Sequence, residues 1–388
     1  MKNKIKVIHI ITLLELGGAQ QNTLFTVRHL NPEKYDVGLI AGSGGILDEE
    51  AGKIAHVRTI FVKNLVRPIR PWQDCKAIWD LAAILRREKP DIVHTHSSKA
   101  GIIGRIAAKI AGVEKIVHSV HGFGFNPRQK FFVRWLFIIL EKWIAHFTDC
   151  LIAVSQDNIQ TGLAKGIGKP EQYRLIRSGV DIDQIKDQAQ KTNLVELREN
   201  LKIAPQMHIA VNIGPFKIQK NPLGFLDFAK IALQKLPNLT FLMVGDGGLR
   251  PQLEQKLRDL KLQDKVRLLG WRRDIPSLLA LADCLVMTSL WEGLPRASVE
   301  ALILGKPVFA YAVDGQRDII QNGFNGYIVE PGQNETLAEK LAQTLRDPKE
   351  LEKLKKNAQK TIDISFNIHH MVRQQEELYS SLLTLSLG

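Results

Sequence analysis

Six groups of residues in this chain carry chemistry by type and spacing. Lys217 and Lys220 stand three apart in GPFKIQKNP, after an apolar run and before Pro222, a residue suited to open a helix. Two ammonium groups beside a helix N-terminus suit a bound anion, although a solvated loop is the plainer reading of the same residues. Glu292 and Glu300 flank Gly293-Leu294-Pro295 in WEGLPRASVEAL. With Pro295 in the first turn of a helix, Glu292 lies in the loop and Glu300 inside the helix, so both carboxylates can face one ligand. A carboxylate accepts from paired hydroxyls, and Gly293 and Leu294 would offer backbone N–H groups to an anion. The plainer alternative is a helix with one dipole-complementing Glu and one exposed Glu. Strand, turn, proline and second Glu together speak against it.

Two further junctions are weaker signals. Gly245-Asp246-Gly247-Gly248 lets backbone approach a ligand closely, or simply makes a tight turn. Gly270-Trp271-Arg272-Arg273-Asp274 could frame a planar group, or cap a helix through Asp274. In the first half, Gly17-Gly18-Ala19-Gln20 opens a helix after the first strand, with N–H groups available to a phosphate or a hydroxyl. It is not the GxGxxG fingerprint, so a dinucleotide site is not supported. His94 and His96 sit on one strand, His118 and His121 on and after the next. Alternate residues share a strand face, so four imidazoles could converge on a metal. No carboxylate accompanies them at ligand spacing, and His94 reads more simply as a satisfied core residue; no metal and no other cofactor is expected.

The elements that must position these residues are legible as short apolar runs. They are Lys6–Thr12, Val37–Ala41, Arg58–Val62, Ile92–His96, Ile116–Val120, Leu151–Val154 and Arg174–Ile176 in the first half. In the second they are His208–Ile213, Thr240–Val244, Val266–Leu269, Cys284–Thr288, Pro307–Tyr311 and Gly326–Val329. Most are continuous rather than alternating, as parallel strands covered by helices on both faces should be. A chain of 388 residues exceeds one ordinary core. Two doubly wound α/β domains follow, with ligands at the carboxyl ends of their strands, facing a central cleft. The break is expected in the polar stretch Asp181–Asn200. The last helix, Asn367–Leu383, has an apolar stripe that could pack on either domain.

Composition narrows the class. Cys75, Cys150 and Cys284 are scattered and odd in number, which argues against a disulfide framework and fits a reducing cytoplasm. The lysines and apolar run at the start lack a small-residue cleavage site, so a buried first strand is expected rather than a signal peptide. The net charge is +13, and residues 1–180 carry +11 of it, with 26 Lys+Arg against 15 Asp+Glu. In that half, the stretch Arg128–Trp143 mixes aromatic and basic residues and is too short and charged to span a bilayer. It suits a helix lying on an anionic membrane surface, or one buried against the sheet. The chain is expected in the cytoplasm, peripheral on the inner face of the membrane.

The ordered set of motifs resembles the retaining GT-B glycosyltransferases of family 4, the glycosyl transferases group 1. Glu292 and Glu300 stand as the family's Glu-x7-Glu motif, preceded by Gly245-Asp246-Gly247 and Leu269-Gly270-Trp271-Arg272 and followed by Gly305-Lys306-Pro307-Val308 and Asn325-Gly326-Tyr327-Ile328-Val329. The resemblance covers nearly the whole chain and implies two Rossmann-like domains. One is an acceptor-binding domain, 1–185, to which the helix 366–388 can return; the other is a donor-binding domain, 186–365. It implies a nucleotide-sugar donor, UDP the first candidate, and a glycan or lipid-linked acceptor in cell-surface polysaccharide synthesis.

Glu300 would bind the ribose and Glu292 the transferred sugar, with Lys220 on the pyrophosphate. Gly18, Lys217, Gly245, Arg272, Gly293 and Leu294 would complete the donor site. His121, after its strand, would lie against the sugar as developing positive charge forms. Gly17, Gln20 and Lys99 are the acceptor-side candidates. In the family's mechanism the acceptor attacks on the leaving-group face and the departing phosphate takes the proton, so neither glutamate need act as an acid or base.

Some residues depart from the pattern. Pro215 replaces the usual Arg, with Lys217 as its substitute, and Asp314 and Asp318 replace a Gly and a Glu. Asp181-Ile182-Asp183 is formally the metal-binding DxD of another fold, yet it stands in the family's pre-hinge loop, so metal-independent turnover is expected. Three rivals stay open: a GT-B sugar-nucleotide epimerase, a non-catalytic partner subunit, and a basic nucleic-acid-binding protein. The basic residues are not interleaved with exposed aromatics in a nucleic-acid-reading motif, and no nucleic-acid partner is expected.

Overall fold

A computed structural model describes residues 4–15, 17–126 and 129–384. Arg128, the first residue of the aromatic and basic stretch, and residues 385–388 of the terminal segment lie outside them. The chain forms two compact units, 1–179 with 367–388, and 180–366.

Among the described residues, unit 1 has a seven-stranded parallel sheet in the order β3-β2-β1-β4-β5-β6-β7. Its strands are β1 (Ile5–Leu13), β2 (Tyr35–Gly42), β3 (Val57–Phe61), β4 (Ile92–His96), β5 (Lys115–Val120), β6 (Cys150–Ala153) and β7 (Tyr173–Leu175). Side chains alternate across β1. Val7 and Ile11 pack with Leu24 and Val27 on one face, while Ile8 and Ile10 pack with Leu81 and Ala107 on the other. Both faces are apolar, which is why the strand reads as one continuous run. The terminal helix Ile368–Thr384 lays Met371, Val372, Leu378 and Tyr379 on the first of these faces. Tyr35 Oη donates to Glu376 O at 3.0 Å, and Asn31 N–H to the Glu376 carboxylate at 2.7 Å.

Unit 2 has a six-stranded parallel sheet in the order β10-β9-β8-β11-β12-β13. These strands are β8 (His208–Ile213), β9 (Leu239–Val244), β10 (Val266–Leu268), β11 (Cys284–Met287), β12 (Val308–Tyr311) and β13 (Gly326–Val329). Phe225, Phe228 and Phe241 cluster edge-on and tilted under one face. The polar stretch 181–200 is helical, as Ile182–Gln190 and Leu194–Asn200. Asp181 caps the first of these by accepting from Gln184 N–H at 2.9 Å. That places the formal DxD on a helix start, where an Asx cap accounts for its first carboxylate.

Candidate functional site

In a doubly wound sheet, the strand order reverses where consecutive strands depart to opposite sides, and the loops there open a crevice. In unit 2 that point lies between β8 and β11. Lys220 follows β8, and Glu292 follows β11. Their side chains meet there: Lys220 Nζ donates to Glu292 Oε1. The carboxylate is 6% exposed and the lysine side chain 19%, so the pair sits largely out of water.

The loops are pinned together by backbone. Leu290 N–H donates to Gln219 O at 2.8 Å, and Gln219 Nε2 to Trp291 O at 3.0 Å. Asp314 after β12 accepts from Glu292 N–H at 2.5 Å, while Gly315 N–H donates to Gly293 O at 3.0 Å. The aspartate that replaces a family glycine is thus put to use, holding the Glu292 backbone from the neighbouring loop.

The helix Arg296–Ile303 begins one residue later than expected. Pro295 stands at its N-cap, and its carbonyl accepts from Ser298 and Val299 N–H at 3.0 and 3.2 Å. Glu300 is buried inside this helix, and Arg296 Nε donates to its carboxylate at 2.8 Å. Gly245, after β9, has φ +141° and donates its N–H to Gly270 O at 2.9 Å. A Cβ there would lie 2.0 Å from Gly214 O, so only glycine lets these loops approach. Arg272 is held by both oxygens of Asp274, at 2.8 and 2.5 Å. Asp274 occupies the N-cap of helix Ile275–Leu281, but its carboxylate serves Arg272 and not the helix. Lys217 stands at the N-cap of the short 3-10 turn Ile218–Lys220.

Unit 1 repeats the logic, with its reversal between β1 and β4. Gly17 is the N-cap of helix Gly18–His29, with no side-chain cap, and its carbonyl accepts from Gln21 N–H at 3.0 Å. Gln20 lies in the first turn of that helix. Across the point, Thr12 Oγ1 and Ser97 Oγ are 2.9 Å apart, and Ala100 N–H donates to Thr12 Oγ1 at 3.0 Å. Lys99, in the first turn of helix Ser98–Ala111, is engaged by Asp74 Oδ1 of helix Pro71–Glu88 at 2.6 Å and by the carbonyl of Pro68, just before that helix.

The histidines do not converge as the alternation within each strand suggests. Strand register sets Thr95, not His94, beside His118, so His118 points to the opposite face. There it contacts Thr95 Oγ1 at 2.9 Å and packs against Gly101. His94 is a core residue with both nitrogens matched, Nδ1 by Tyr379 Oη at 2.6 Å and Nε2 by Ser119 Oγ at 2.8 Å. The ring that joins His94 and His96 is His9 of β1, whose Nδ1 lies 2.9 Å from His96 Nε2. Burial holds His121 well below the usual imidazole range, at about 4, and His9 at about 3. A small cavity beside them is lined by Asn22, His96, Ser119, His121, Ser178 and Gln375. His9 escaped the sequence reading; a polar ring inside the continuous run Ile8–Ile11 was the available signal.

The description "Glycosyltransferase Family 4" matches residues 16–184 and "Glycosyl transferases group 1" matches residues 195–361. The Escherichia coli UDP-Gal:alpha-D-GlcNAc-diphosphoundecaprenol alpha-1,3-galactosyltransferase is 34% identical over 384 residues, spanning 98% of each chain. The capsular polysaccharide biosynthesis glycosyltransferase CapM of Staphylococcus aureus is 25% identical over 398 residues, all of both chains. The Anabaena HepE structure with UDP and glucose superposes with TM-score 0.81 at 23% identity, covering 97% of this chain and 100% of that one. WaaG, a glycosyltransferase of lipopolysaccharide biosynthesis, gives TM-score 0.74 at 17% identity over 94% of this chain and 98% of its own. The chain therefore belongs to the family 4 glycosyltransferases, the glycosyl transferases group 1, and has their GT-B fold of two parallel-sheet Rossmann-like units.

Proposed function

We propose that the chain is a retaining transferase that moves a sugar, galactose the first candidate, from UDP to a hydroxyl of a lipid-diphosphate-linked glycan. The observation that carries this is the meeting of Lys220 and Glu292 at the switch point of unit 2, in a chain 34% identical over 98% of its length to a diphosphoundecaprenol galactosyltransferase. In this reading Lys220, Lys217 and the N–H groups of Gly293 and Leu294 hold the diphosphate. Glu300 takes the ribose hydroxyls, Glu292 the sugar, and Gly245 and Arg272 border the donor. To unit 1 we assign the acceptor, with Gly17, Gln20 and Lys99, a phosphate contact at Gly18, and the positioning of the sugar by His121.

Lys220 and Glu292 neutralise each other, and Arg296 holds Glu300. A phosphate competing for Lys220 releases the Glu292 carboxylate to accept sugar hydroxyls. The acceptor oxygen then bonds to the anomeric carbon on the face the diphosphate leaves. The carbon–phosphate-oxygen bond breaks, and the acceptor proton passes to that departing oxygen. The protein contributes placement and charge stabilisation and needs no nucleophile of its own.

The test supplies purified protein with UDP-galactose and GlcNAc-diphosphoundecaprenol. We expect an α-linked galactosyl lipid, formed equally well in excess EDTA. Complete loss of product in EDTA would overturn metal-independent turnover. Failure of every UDP-sugar to label any lipid diphosphate acceptor would sink the assignment itself.

Helix Phe131–Ala145 supports a membrane surface as partner. It buries Glu141, Ile144 and Ala145 and exposes Phe131, Phe132, Trp135, Leu136, Ile139 and Trp143, with Lys130 and Lys142 among them. Among the described residues, no helix is long and apolar enough to cross a membrane. An exposed aromatic stripe with cations fits the plane of an anionic interface. The double substitution Phe132→Glu with Trp135→Glu should lower sedimentation with phosphatidylglycerol vesicles at least about tenfold, since each ring contributes roughly 1.5–3 kcal/mol when buried. Unchanged sedimentation would remove this part of the proposal.

A further inference from the structure

Three imidazoles stand in a row in unit 1. His9 Nδ1 lies 2.9 Å from His96 Nε2, with the two rings within 11° of parallel. His96 Nδ1 in turn lies 3.4 Å from His121 Nε2. Neighbouring histidines do not compete for these nitrogens. His94 is taken up by Tyr379 and Ser119, and His118 by Thr95 on the other face. Burial keeps all three rings of the row neutral, His96 with the added repulsion of its neighbours.

A neutral imidazole carries one N–H, so His96 donates to one side and accepts from the other. The row can therefore run in only two directions. If His121 donated from Nε2, His96 would donate from Nε2, and the hydrogen of His9 would sit on its own Nε2. That atom is buried and has no partner among the described residues. A buried orphan N–H is rarer in folded proteins than an unused acceptor. The opposite direction puts each hydrogen on Nδ1 and leaves His9 Nε2 as an unused lone pair. The structure selects this second order.

We propose that His96, aligned by His9, is a positioning residue for His121: the row fixes its Nδ1–H tautomer and its ring plane. This rests on the assignment of His121 to the sugar, and it sharpens that assignment. The Nε2 lone pair of His121 is committed to His96, so the ring presents a hydrogen-bond donor, Nδ1–H, to a sugar or acceptor oxygen and does not act as a base. That division matches a reaction in which the departing phosphate takes the proton.

The row is tested directly in the full chain labelled with 15N-histidine, using long-range 15N–1H spectra at neutral pH without substrate. The His121 signals are assigned by their loss in His121→Gln. We expect Nδ1–H for His121 in the wild type and in His96→Gln, whose amide can still donate. In His96→Leu we expect a shift to the Nε2–H form that free imidazole favours. In the galactosyl-transfer assay, His96→Leu should lower kcat at least about tenfold with the donor KM within about twofold, and His96→Gln should recover most of it, as expected when a ring is left in the wrong tautomer.

An Nε2–H His121 in the wild type would overturn the proposal, as would an unchanged tautomer and kcat in folded His96→Leu. So would a stoichiometric divalent metal in the purified protein, lost in His9→Asn, since ligand atoms of His9, His94 and His96 lie within 4.8 Å of one another. If His96→Leu does not fold, the wild-type and His96→Gln spectra decide. If no galactosyl lipid forms, the functional assignment fails, while the spectra still decide the row.

Discussion

Replacing Lys220 by methionine is expected to cut sugar transfer by about 10²–10³-fold, as loss of one preorganised charge at a reacting group does, and also to lower stability. Glu292 is 6% exposed at its side chain and would be left without its cation. Removing one partner of a buried pair is costly because the other charge stays desolvated. At a crevice, where one member is 19% exposed, about 1–3 kcal/mol is the expected scale, or roughly 5 °C in Tm for a unit of this size.

Adding Glu292→Gln should restore most of the Tm and none of the activity. A structural pair would recover neither separately; a donor site must lose both charges' chemistry even when the fold is repaired. Glu300→Gln, by contrast, should weaken UDP-sugar binding, while Glu292→Gln alone mainly slows transfer. Thermal melts and donor titrations of the four variants decide this. A Lys220→Met protein with wild-type Tm and wild-type donor affinity would remove Lys220 from the site.

Glu141→Leu should strongly destabilise unit 1. Arg105 is fully buried, and its Nη2 donates to Glu141 Oε2 at 2.6 Å; its Nε donates to Gly101 O at 2.7 Å. Without the carboxylate, a guanidinium is stranded in the core at a cost of about 3–5 kcal/mol, on the order of 10 °C in Tm. Arg105→Met in the same chain should recover most of this loss, because the desolvated charge leaves with its partner. Glu141 is also on the inward side of the helix proposed to lie on lipid. Vesicle binding should therefore fall with Glu141→Leu and return in the double variant. Melting of Glu141→Leu at the wild-type temperature would show that water reaches Arg105.

Much of this was readable from residues alone. His208–Ile213 and Gly326–Val329 are strands at the limits their apolar runs suggest, because strands covered on both faces read as nearly continuous apolar runs. The loops bearing chemistry were also legible, since glycine, lysine and glutamate interrupt such runs where strands end.

Pairings between strands were not legible. Whether His118 shares a face with His94 depends on a one-residue offset between β4 and β5, which neither strand encodes by itself. Lys220 and Glu292 are 72 residues apart, and nothing local says that each neutralises the other. Asp314 read as a departure from a pattern, and its use became visible only through the Glu292 N–H it accepts. An amphipathic stripe announces that the last helix must be covered, but not by which sheet.

That last helix has a consequence in time. Tyr379, Met371 and Val372 fill the core of the unit that contains the first 179 residues, yet the ribosome makes them after everything from 180 to 366. At about 5–20 residues per second, the intervening stretch takes on the order of ten to forty seconds. Through that interval the face of β1 and β4 that Leu24 and Val27 share with the terminal helix stays only partly covered, while 180–366, contiguous in the chain, has all its own core segments as soon as it emerges. The part of the molecule translated second is the part that can finish folding first.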